Sequence, residues 1–340
     1  MELITDPAPQ DLTGVIRLTT EAYEDETSTL ASFLPNLHIN DTVARVRDVV
    51  ATKADAAEVR SFDAEAPIGK AAEKTRGITF DLPPISQKLR VSEAEQIRSI
   101  ADGALTDKIN RRGKQVGEAI ADRAELFRGE VLTTGKIHVA GENGVYADVD
   151  FGRDESMAPV AEDSWESPDA KHLSMIEQWL EDYSDLNGME ATTMVLSKTA
   201  LRFLVKSKEI RGAITDTPSK TRITPEMVRG LLTDFGVDQV ITYDRQIQVQ
   251  GQSVRPLPKD RVLFLPSAID GQIGRTVFGT TVEAVDPSFG YGIAPEDAPG
   301  IVVGAWRQHD PAGVWVRGNS IAAPVLANPD LAMSANISGQ

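Results

Sequence analysis

The stretch "RGEVLTTGKIHVAGENGVYADVDFGRD", residues 128–154, decides how the rest of the chain is interpreted. Asn143-Gly144 is the dipeptide of a tight hairpin turn, so the pattern predicts two antiparallel strands joined there. The second strand ends with Asp150-Phe151-Gly152, the triplet that binds magnesium in protein kinases. A kinase also needs a His-Arg-Asp catalytic triplet, which this sequence lacks. The sequence therefore favours a structural role for Asp150-Phe151-Gly152.

A long periodic segment precedes the hairpin. Ser92 is followed three residues later by Glu95, which is the pattern of a helix capping box. Apolar side chains then recur about every four or seven residues, and this periodicity predicts one helix that runs to Thr134. At about 1.5 Å per residue the helix would reach roughly 60 Å, which is as long as a compact globule of this chain length is wide. The glycines inside it are candidate hinges: Gly103, Gly113 and Gly117.

The segment before this helix, residues 35–91, favours strands with little apolar mass of their own. Apolar residues alternate with polar ones at residues 78–82, which is typical of a half-buried strand. We interpret the segment as one long two-stranded extension. Because isolated hairpins are marginally stable in water, it must be stabilised by contacts with residues outside the segment. Residues 1–34, with an acidic cluster at residues 21–26, are interpreted as an arm with a short helix.

Local signals after the hairpin predict a series of helices and strands. Ser167-Pro168 is predicted to start a helix that Gly188 ends. Ser197 and Thr224-Pro225 start two more helices, and Gly236 ends the second of these. The predicted strands are residues 192–196, 239–243, 247–250, 262–266, 275–285, 301–306, 314–317 and 321–326. The fold class is therefore α+β.

Composition excludes several classes of protein. The chain has 340 residues with 51 acidic and 35 basic side chains, a formal net charge of -16 that repels nucleic-acid phosphates. It has no cysteine, which excludes disulfides, thiolate nucleophiles and cysteine-ligated metals. No apolar run approaches the roughly 18 residues needed to span a bilayer, and the first residues lack the pattern of a secretory signal. We therefore expect a cytosolic protein without a membrane partner.

The sequence contains no convincing catalytic or metal-binding motif. Gly129 to Lys136 has five residues between its glycines instead of the four of a phosphate loop, and Ile137 stands where serine or threonine would bind magnesium. No Gly-x-Ser-x-Gly motif occurs. The histidines lack a second histidine at metal-ligand spacing: His38, His138, His172 and His309.

Three stretches together carry a resemblance to one protein family. In residues 128–154 a long helix ends, a hairpin turns, and the return strand closes with Asp150-Phe151-Gly152-Arg153. Residues 242–266, "TYDRQIQVQGQSVRPLPKDRVLFLP", combine a short hairpin, a polar turn and an apolar strand. Ala322-Ala323-Pro324 and Asn328-Pro329-Asp330 form a final strand and turn. The chain resembles the lambda-type major capsid protein E family of tailed phages in all three.

This resemblance implies the Hong Kong 97-like capsid fold of a structural protein that is not an enzyme. The implied parts are an N-terminal arm (residues 1–34), an extended loop (35–91), a peripheral domain with a long spine helix and hairpin (92–190) and an axial domain (191–309). Residues 310–340 would return to the peripheral domain. Candidate intersubunit residues in the extended loop are Arg45, Arg47, Arg60, Lys70 and Lys74. Candidate residues of a loop at the capsomer centre are Gly212, Asp216, Lys220 and Arg222.

The resemblance also implies self-assembly as hexamers and pentamers into an icosahedral procapsid that matures as DNA enters. The expected partners are further copies of the chain, a scaffolding protein, a portal and a decoration protein. Packaged DNA would be enclosed but not bound sequence-specifically, and no cofactor is expected. The expected location is the virion capsid, assembled in the host cytoplasm. Two alternatives remain open: a cytosolic metal- or nucleotide-dependent enzyme built from dispersed residues such as His138, Asp150 and His172, and a phage tail or adaptor protein.

Overall fold

A computed structural model of the chain describes residues 2–46, 49–50, 56–57, 59–62, 65–66, 73–74, 77–101, 104–141, 144–215, 222–268 and 272–339. The helices in these residues are α1 Pro9–Thr27, α2 Glu93–Ala101, α3 Leu105–Thr134, α4 His172–Asn187, α5 Lys198–Lys206, α6 Lys208–Ile214, α7 Pro225–Asp234 and α8 Val282–Val285. The strands are β1 Glu2–Leu3, β2 Asn36–His38, β3 Val43–Val46, β4 Val49–Val50, β5 Glu73–Lys74, β6 Ile78–Asp81, β7 Pro84–Ser92, β8 Lys136–Gly141, β9 Gly144–Asp150, β10 Thr193–Leu196, β11 Gln239–Thr242, β12 Ile247–Val249, β13 Gln252–Val254, β14 Arg261–Leu265, β15 Gly274–Phe278, β16 Val302–Gln308, β17 Gly313–Leu326 and β18 Met333–Asn336.

The larger sheet is built around β17, which pairs antiparallel with three strands. β16 and β7 flank its first part, so that Trp315 lies opposite Trp306 in one neighbour and Arg90 in the other. β15 pairs with the last part of β17, and β2 then adds a parallel edge strand. β1 pairs with β16 at the opposite edge. The sheet therefore joins strands that are far apart in the sequence.

The second sheet has the order β11-β10-β14-β18. β10 and β11 are parallel, and a parallel pair needs a crossover connection, which α5, α6 and α7 provide here. Every residue of β10 is buried, as expected of a strand that is covered on both faces. β18 pairs with β14 after the chain has passed through the larger sheet.

Two apolar cores hold these sheets in place. The larger core joins the second sheet to α4 and to the end of the β8–β9 hairpin, and in it Trp165 and Trp179 stack with ring centroids 5.9 Å apart. The other core lies between α1, α3 and the larger sheet, and it includes Ile16 of α1, Val116 of α3 and Val316 of β17. The long helix α3 thus packs on both the N-terminal helix and the larger sheet.

The predicted single long helix is two helices. Ala104, with φ of -103° and ψ of 17°, is not helical and precedes α3. The interruption lies next to Gly103 in the sequence, where a glycine costs a helix about 1 kcal/mol relative to alanine. The predicted capping box is confirmed, because the Ser92 N–H donates to Glu95 across 2.9 Å. α3 alone has 30 residues.

Three other local predictions are wrong. α4 begins at His172 and not at Ser167-Pro168, because the Ser167 hydroxyl accepts from the Asp169 N–H and closes a local turn. β15 ends at Phe278, because the next residues contact Asp41 instead of continuing the strand, and residues 282–285 are helical. α1 has 19 residues and is not a short helix.

Strand continuity also differs from the prediction. The predicted strands 314–317 and 321–326 are parts of one strand, β17. β18 was not predicted from the sequence, since four residues carry too little alternation to be recognised, whereas β13 is the second strand of the short hairpin expected in residues 242–266. The domain ranges remain a prediction, but β15 and β16 lie in the larger sheet and β18 lies in the second sheet.

Candidate functional site

The triplet Asp150-Phe151-Gly152 closes the hairpin of β8 and β9. Phe151 is buried, and its ring meets that of Phe80 edge to face with centroids 6.4 Å apart, so the hairpin end packs against β6. The Asp150 carboxylate accepts from the Gly152 N–H at 2.8 Å and pairs with Lys136 at 2.8 Å. The structural interpretation of this triplet is confirmed.

Arg153 follows the triplet and ties the hairpin to the end of α3. Its guanidinium donates to the carbonyls of Leu132 at 2.9 Å and Thr133 at 2.8 Å, in the last turn of that helix, and to Ala332 at 3.0 Å. A cation is favourable there because the carbonyl end of a helix is negative. Gly135 ends the helix with φ of 70°, and a Cβ on it would lie 2.9 Å from Arg153 Cβ. Burial lowers the pKa of Arg153 to about 10, so it stays charged near neutral pH.

The extended loop is a two-stranded hairpin in its described part. β3 pairs with β6, and β4 pairs with β5. Its base is anchored, because the Leu82 N–H donates to the Thr42 carbonyl at 2.9 Å and the side chains of Ala44 and Leu82 are buried. Farther out, Val59 and Phe62 are fully exposed, at 101% and 99% of their reference areas. Two apolar side chains three residues apart are therefore left uncovered by the described chain.

The candidate intersubunit residues of this loop have separate surroundings. Arg45 pairs with Asp41, and this hydrogen bond lowers the pKa of the Asp41 carboxyl. Arg60 lies beside Phe62 in the sequence near the uncovered end of the loop and donates to the Ser61 carbonyl at 3.4 Å. Lys74 lies in β5. Two further candidates, Arg47 and Lys70, fall outside the described residues.

A buried charge cluster joins α1, α3 and the larger sheet. Arg128 of α3 is completely buried and donates from Nη1 to Glu24 at 2.9 Å and to Glu125 at 3.2 Å. Its Nε donates to Thr276 Oγ1 at 2.8 Å, and its Nη2 donates to Asn36 Oδ1 at 2.6 Å. All three guanidinium nitrogens have acceptors, which a buried cation requires.

The same cluster continues into the segment that follows β11. Tyr243 donates to Glu125 at 2.8 Å, and burial followed by the Glu125 charge raises the pKa of Tyr243. Arg245 donates to Ser28 Oγ at 2.6 Å and pairs with Asp122 of α3. The cluster therefore connects the N-terminal segment, the spine helix and both sheets through polar contacts.

The cluster was not predicted from the sequence, although one signal points to it. Arg128 lies four residues after Ala124 and three residues before Val131, on the buried face of α3. A charged residue at such a position is rarely buried without partners. The partners of Arg128 lie in distant segments of the chain, so the spacing of residues along α3 does not identify them.

Two of the candidate hinge glycines are close-packing positions. A Cβ on Gly117 would lie 2.4 Å from Thr20 Oγ1, and one on Gly113 would lie 3.0 Å from Ile16 Cδ1. α3 is continuous at both residues. The glycines thus allow α1 to approach α3, and their role as hinges stays a prediction. Gly103 falls outside the described residues.

The candidate capsomer-centre residues are partly described. Gly212 is exposed in α6, and a Cβ on it would meet no atom within 4 Å. Arg222 is exposed and precedes α7. Asp216 and Lys220 fall outside the described residues.

The residues of the alternative enzyme hypothesis have structural contacts of their own. His172 is completely buried, with its ring nitrogens 2.7 Å from the Ala170 carbonyl and 3.0 Å from the Trp165 carbonyl. His138 lies exposed on β8, with Nδ1 3.7 Å from Asp148. In the described part of the chain, no group of three or more histidine or carboxylate side chains could hold a metal ion. No helix there is both long and apolar enough to cross a membrane.

Comparison with known proteins gives the family. A family model described as phage major capsid protein E matches residues 28–337. The chain belongs to this family. The resemblance found in the sequence is confirmed, and the whole of α1 lies before the matched range. A search of curated protein sequences found no match.

Solved structures share the fold of this capsid protein at low sequence identity. The putative capsid protein of an E. coli CFT073 prophage is 16% identical with a TM-score of 0.64, over 96% of this chain and 98% of that one. A phage-related protein from Bordetella bronchiseptica RB50 is 14% identical with a TM-score of 0.62, over 96% and 97%. A virus-like particle protein from Pyrococcus furiosus is 12% identical with a TM-score of 0.51, over 95% and 97%.

The family and fold define what this protein is. It is a structural major capsid protein of a tailed phage, with the Hong Kong 97-like fold, and it is not an enzyme. It forms a shell from copies of itself and is part of the virion.

Proposed function

We propose that this capsid protein assembles as hexamers and pentamers into an icosahedral procapsid that encloses the phage DNA and matures as DNA enters. The observation that carries the proposal is the extended loop, whose outer residues Val59 and Phe62 are fully exposed. Burying such side chains stabilises a contact by about 1.5–3 kcal/mol each. A loop whose outer apolar residues are left uncovered by the described part of the chain is suited to lie on an adjacent subunit.

The two sheets support a division into two regions around the capsomer. The second sheet with α4 to α7 would be the axial region, and residues 212–222 would form its inner tip. The larger sheet with α3 would be the peripheral region, and the charge cluster around Arg128 would keep the two together. Residues 1–34 would form the arm, although α1 packs on α3 through Ile16 and Thr20.

The net charge of the chain favours a shell that encloses DNA over a protein that binds DNA tightly. A formal net charge of -16 per subunit repels phosphates and would leave packaged DNA mobile inside the shell. The further partners in this proposal are a separate scaffolding protein, a portal and a decoration protein. Assembly would take place in the host cytoplasm.

The test is expression of the protein alone and together with its neighbouring genes. Sedimentation and negative-stain microscopy should show closed shells, or rings of five and six subunits. A stable monomer or dimer under every condition would contradict the proposal. Open rings or tubes without closed shells would instead support a tail or adaptor protein.

A further inference from the structure

One helix of the axial region carries a strongly basic face. Lys198, Arg202 and Lys206 of α5 are all exposed, and their four-residue spacing places them on one side of the helix. None of them forms an ion pair with a described carboxylate. Arg202 donates to the Lys198 carbonyl at 3.3 Å and to Thr199 Oγ1 at 3.4 Å, both within α5. We call these three cations the basic stripe.

The basic stripe opposes the stability of its own helix. Like charges four residues apart repel each other on a helix surface. At the start of α5 the Asp244 carboxylate accepts from the Lys198 N–H at 2.7 Å, so it offsets the positive end of the helix dipole but leaves the repulsion between the three cations. In a chain with a formal net charge of -16, such a concentration of cations indicates an anionic partner outside the subunit.

Another helix of the same region offers the matching charges. Glu177, Glu181 and Asp185 of α4 are exposed at the same four-residue spacing. We call these three carboxylates the acidic stripe. The acidic stripe is thus opposite in sign to the basic stripe and has the same spacing.

The two stripes lie on different helices that a third helix connects. α6 contacts α4 on one hand and α5 on the other. A contact that uses two different patches of the same subunit is heterologous, and it closes into a ring when the rotation between neighbours allows it. A step of four residues advances about 6 Å along either helix, so three cations can face three carboxylates in register.

We propose that the basic stripe of one subunit binds the acidic stripe of the next subunit around the capsomer. This inference rests on the proposed assembly into rings and names the charges that orient neighbouring axial regions. DNA phosphate is a second possible anion for α5. The matched spacing on α4 and the excess of negative charge on the chain favour a second copy instead.

The test is a charge exchange within one chain, because each copy would carry both stripes. Arg202→Glu alone and Glu181→Arg alone should each raise the subunit concentration for half-assembly roughly tenfold, since each places like charges opposite each other. The double variant should assemble within about threefold of wild type, because its charge pair is restored in reverse. At 1 M salt the Debye length is only about 3 Å, so the defects of the single variants should shrink.

Arg111→Glu is the matched control, since Arg111 is exposed on α3 and lies outside both stripes. Thermal unfolding of unassembled subunits should show that all variants fold alike. Normal shells from Arg202→Glu, or a double variant worse than both single variants, would overturn the pairing. Normal shells that retain less DNA would also overturn it and assign the basic stripe to phosphate. Failure of the wild type itself to form shells would overturn the proposed function.

Discussion

Arg128 of α3 donates a hydrogen bond of 2.9 Å to Glu24 of α1, and both side chains are buried. The two residues are 104 positions apart in the sequence. Their contact fixes the N-terminal helix on the spine helix through charge as well as through apolar packing. Loss of Arg128 would be costly, because Glu24 and Glu125 would then be buried carboxylates without their cation.

Arg128→Met should therefore destabilise the unassembled subunit by about 3–5 kcal/mol, since Glu24 and Glu125 would lose their cation. Urea unfolding followed by tryptophan fluorescence measures this loss. The control is Arg112→Met, which removes an exposed pair with Glu95 and should cost less than about 1 kcal/mol. Equal losses of unfolding free energy in the two variants would show that burial does not make the contacts of Arg128 more stabilising than an exposed ion pair.

Gly117→Ala should destabilise the subunit by about 1–3 kcal/mol, because its Cβ would enter the space of Thr20 and Ile16. Gly14→Ala is the control, since Gly14 is exposed on α1 with no atom within 4 Å of a Cβ. It should be neutral or stabilising by up to about 1 kcal/mol. Differential scanning calorimetry of subunits measures both changes. If Gly117→Ala shells then expand normally, the hinge hypothesis for this glycine is wrong.

Val59→Ser together with Phe62→Ser should reduce shell assembly while the subunit remains as stable as before, because both side chains are exposed in the separate subunit. Sedimentation velocity gives the assembled fraction. Met227→Ser, at a partly exposed apolar residue of α7 far from the loop in sequence, serves as the control. Unchanged assembly of the double variant would contradict the proposal that the extended loop contacts an adjacent subunit through these two side chains.

Phe151→Ala should cost about 3–5 kcal/mol, because it opens a cavity where the hairpin meets Phe80. Asp150→Ala should cost far less, since its ion pair with Lys136 is exposed. Calorimetric titration of the wild type with magnesium and ATP should show no binding heat. Saturable binding that Asp150→Ala abolishes would contradict the structural role of the triplet.

Stability should fall as the pH rises above about 10, where an unfolded tyrosine ionises. Burial raises the pKa of Tyr291 to about 12, so the folded state keeps a proton that the unfolded state releases. The contribution of Tyr291 is complete below pH 10 and is lost as the pH approaches 12. Tyr291→Phe should make the fall less steep between pH 10 and 11, as measured by urea unfolding. An unchanged slope would show that Tyr291 is not the group responsible.

Much of the local structure could be predicted because its signals lie within a few residues. Ser197 caps α5 by accepting from the Ala200 N–H, and Thr224 caps α7 with Pro225 at its first position. Gly188 ends α4 in the left-handed conformation. Such caps depend only on neighbouring side chains, and the hairpin at residues 136–150 was predicted for the same reason.

The contacts that make the fold functional come from distant segments. Nothing near Arg128 in the sequence indicates that Asn36 and Thr276 accept its hydrogen bonds. The continuous course of β17 through Gly318 depends on β7 and β16, which lie on its two sides. The charged stripes on α4 and α5 were not predicted from the sequence, because only the tertiary structure shows that α6 contacts both helices.

The last strand, β18, determines how late in synthesis of the chain the second sheet can be completed. β10, β11 and β14 precede the final strands of the larger sheet, yet β14 receives its second neighbour only from residues 333–336. A ribosome must therefore synthesise nearly the whole larger sheet before the second sheet can close. Partly made chains thus present β14 as an unpaired edge of the second sheet until residues 333–336 have been synthesised.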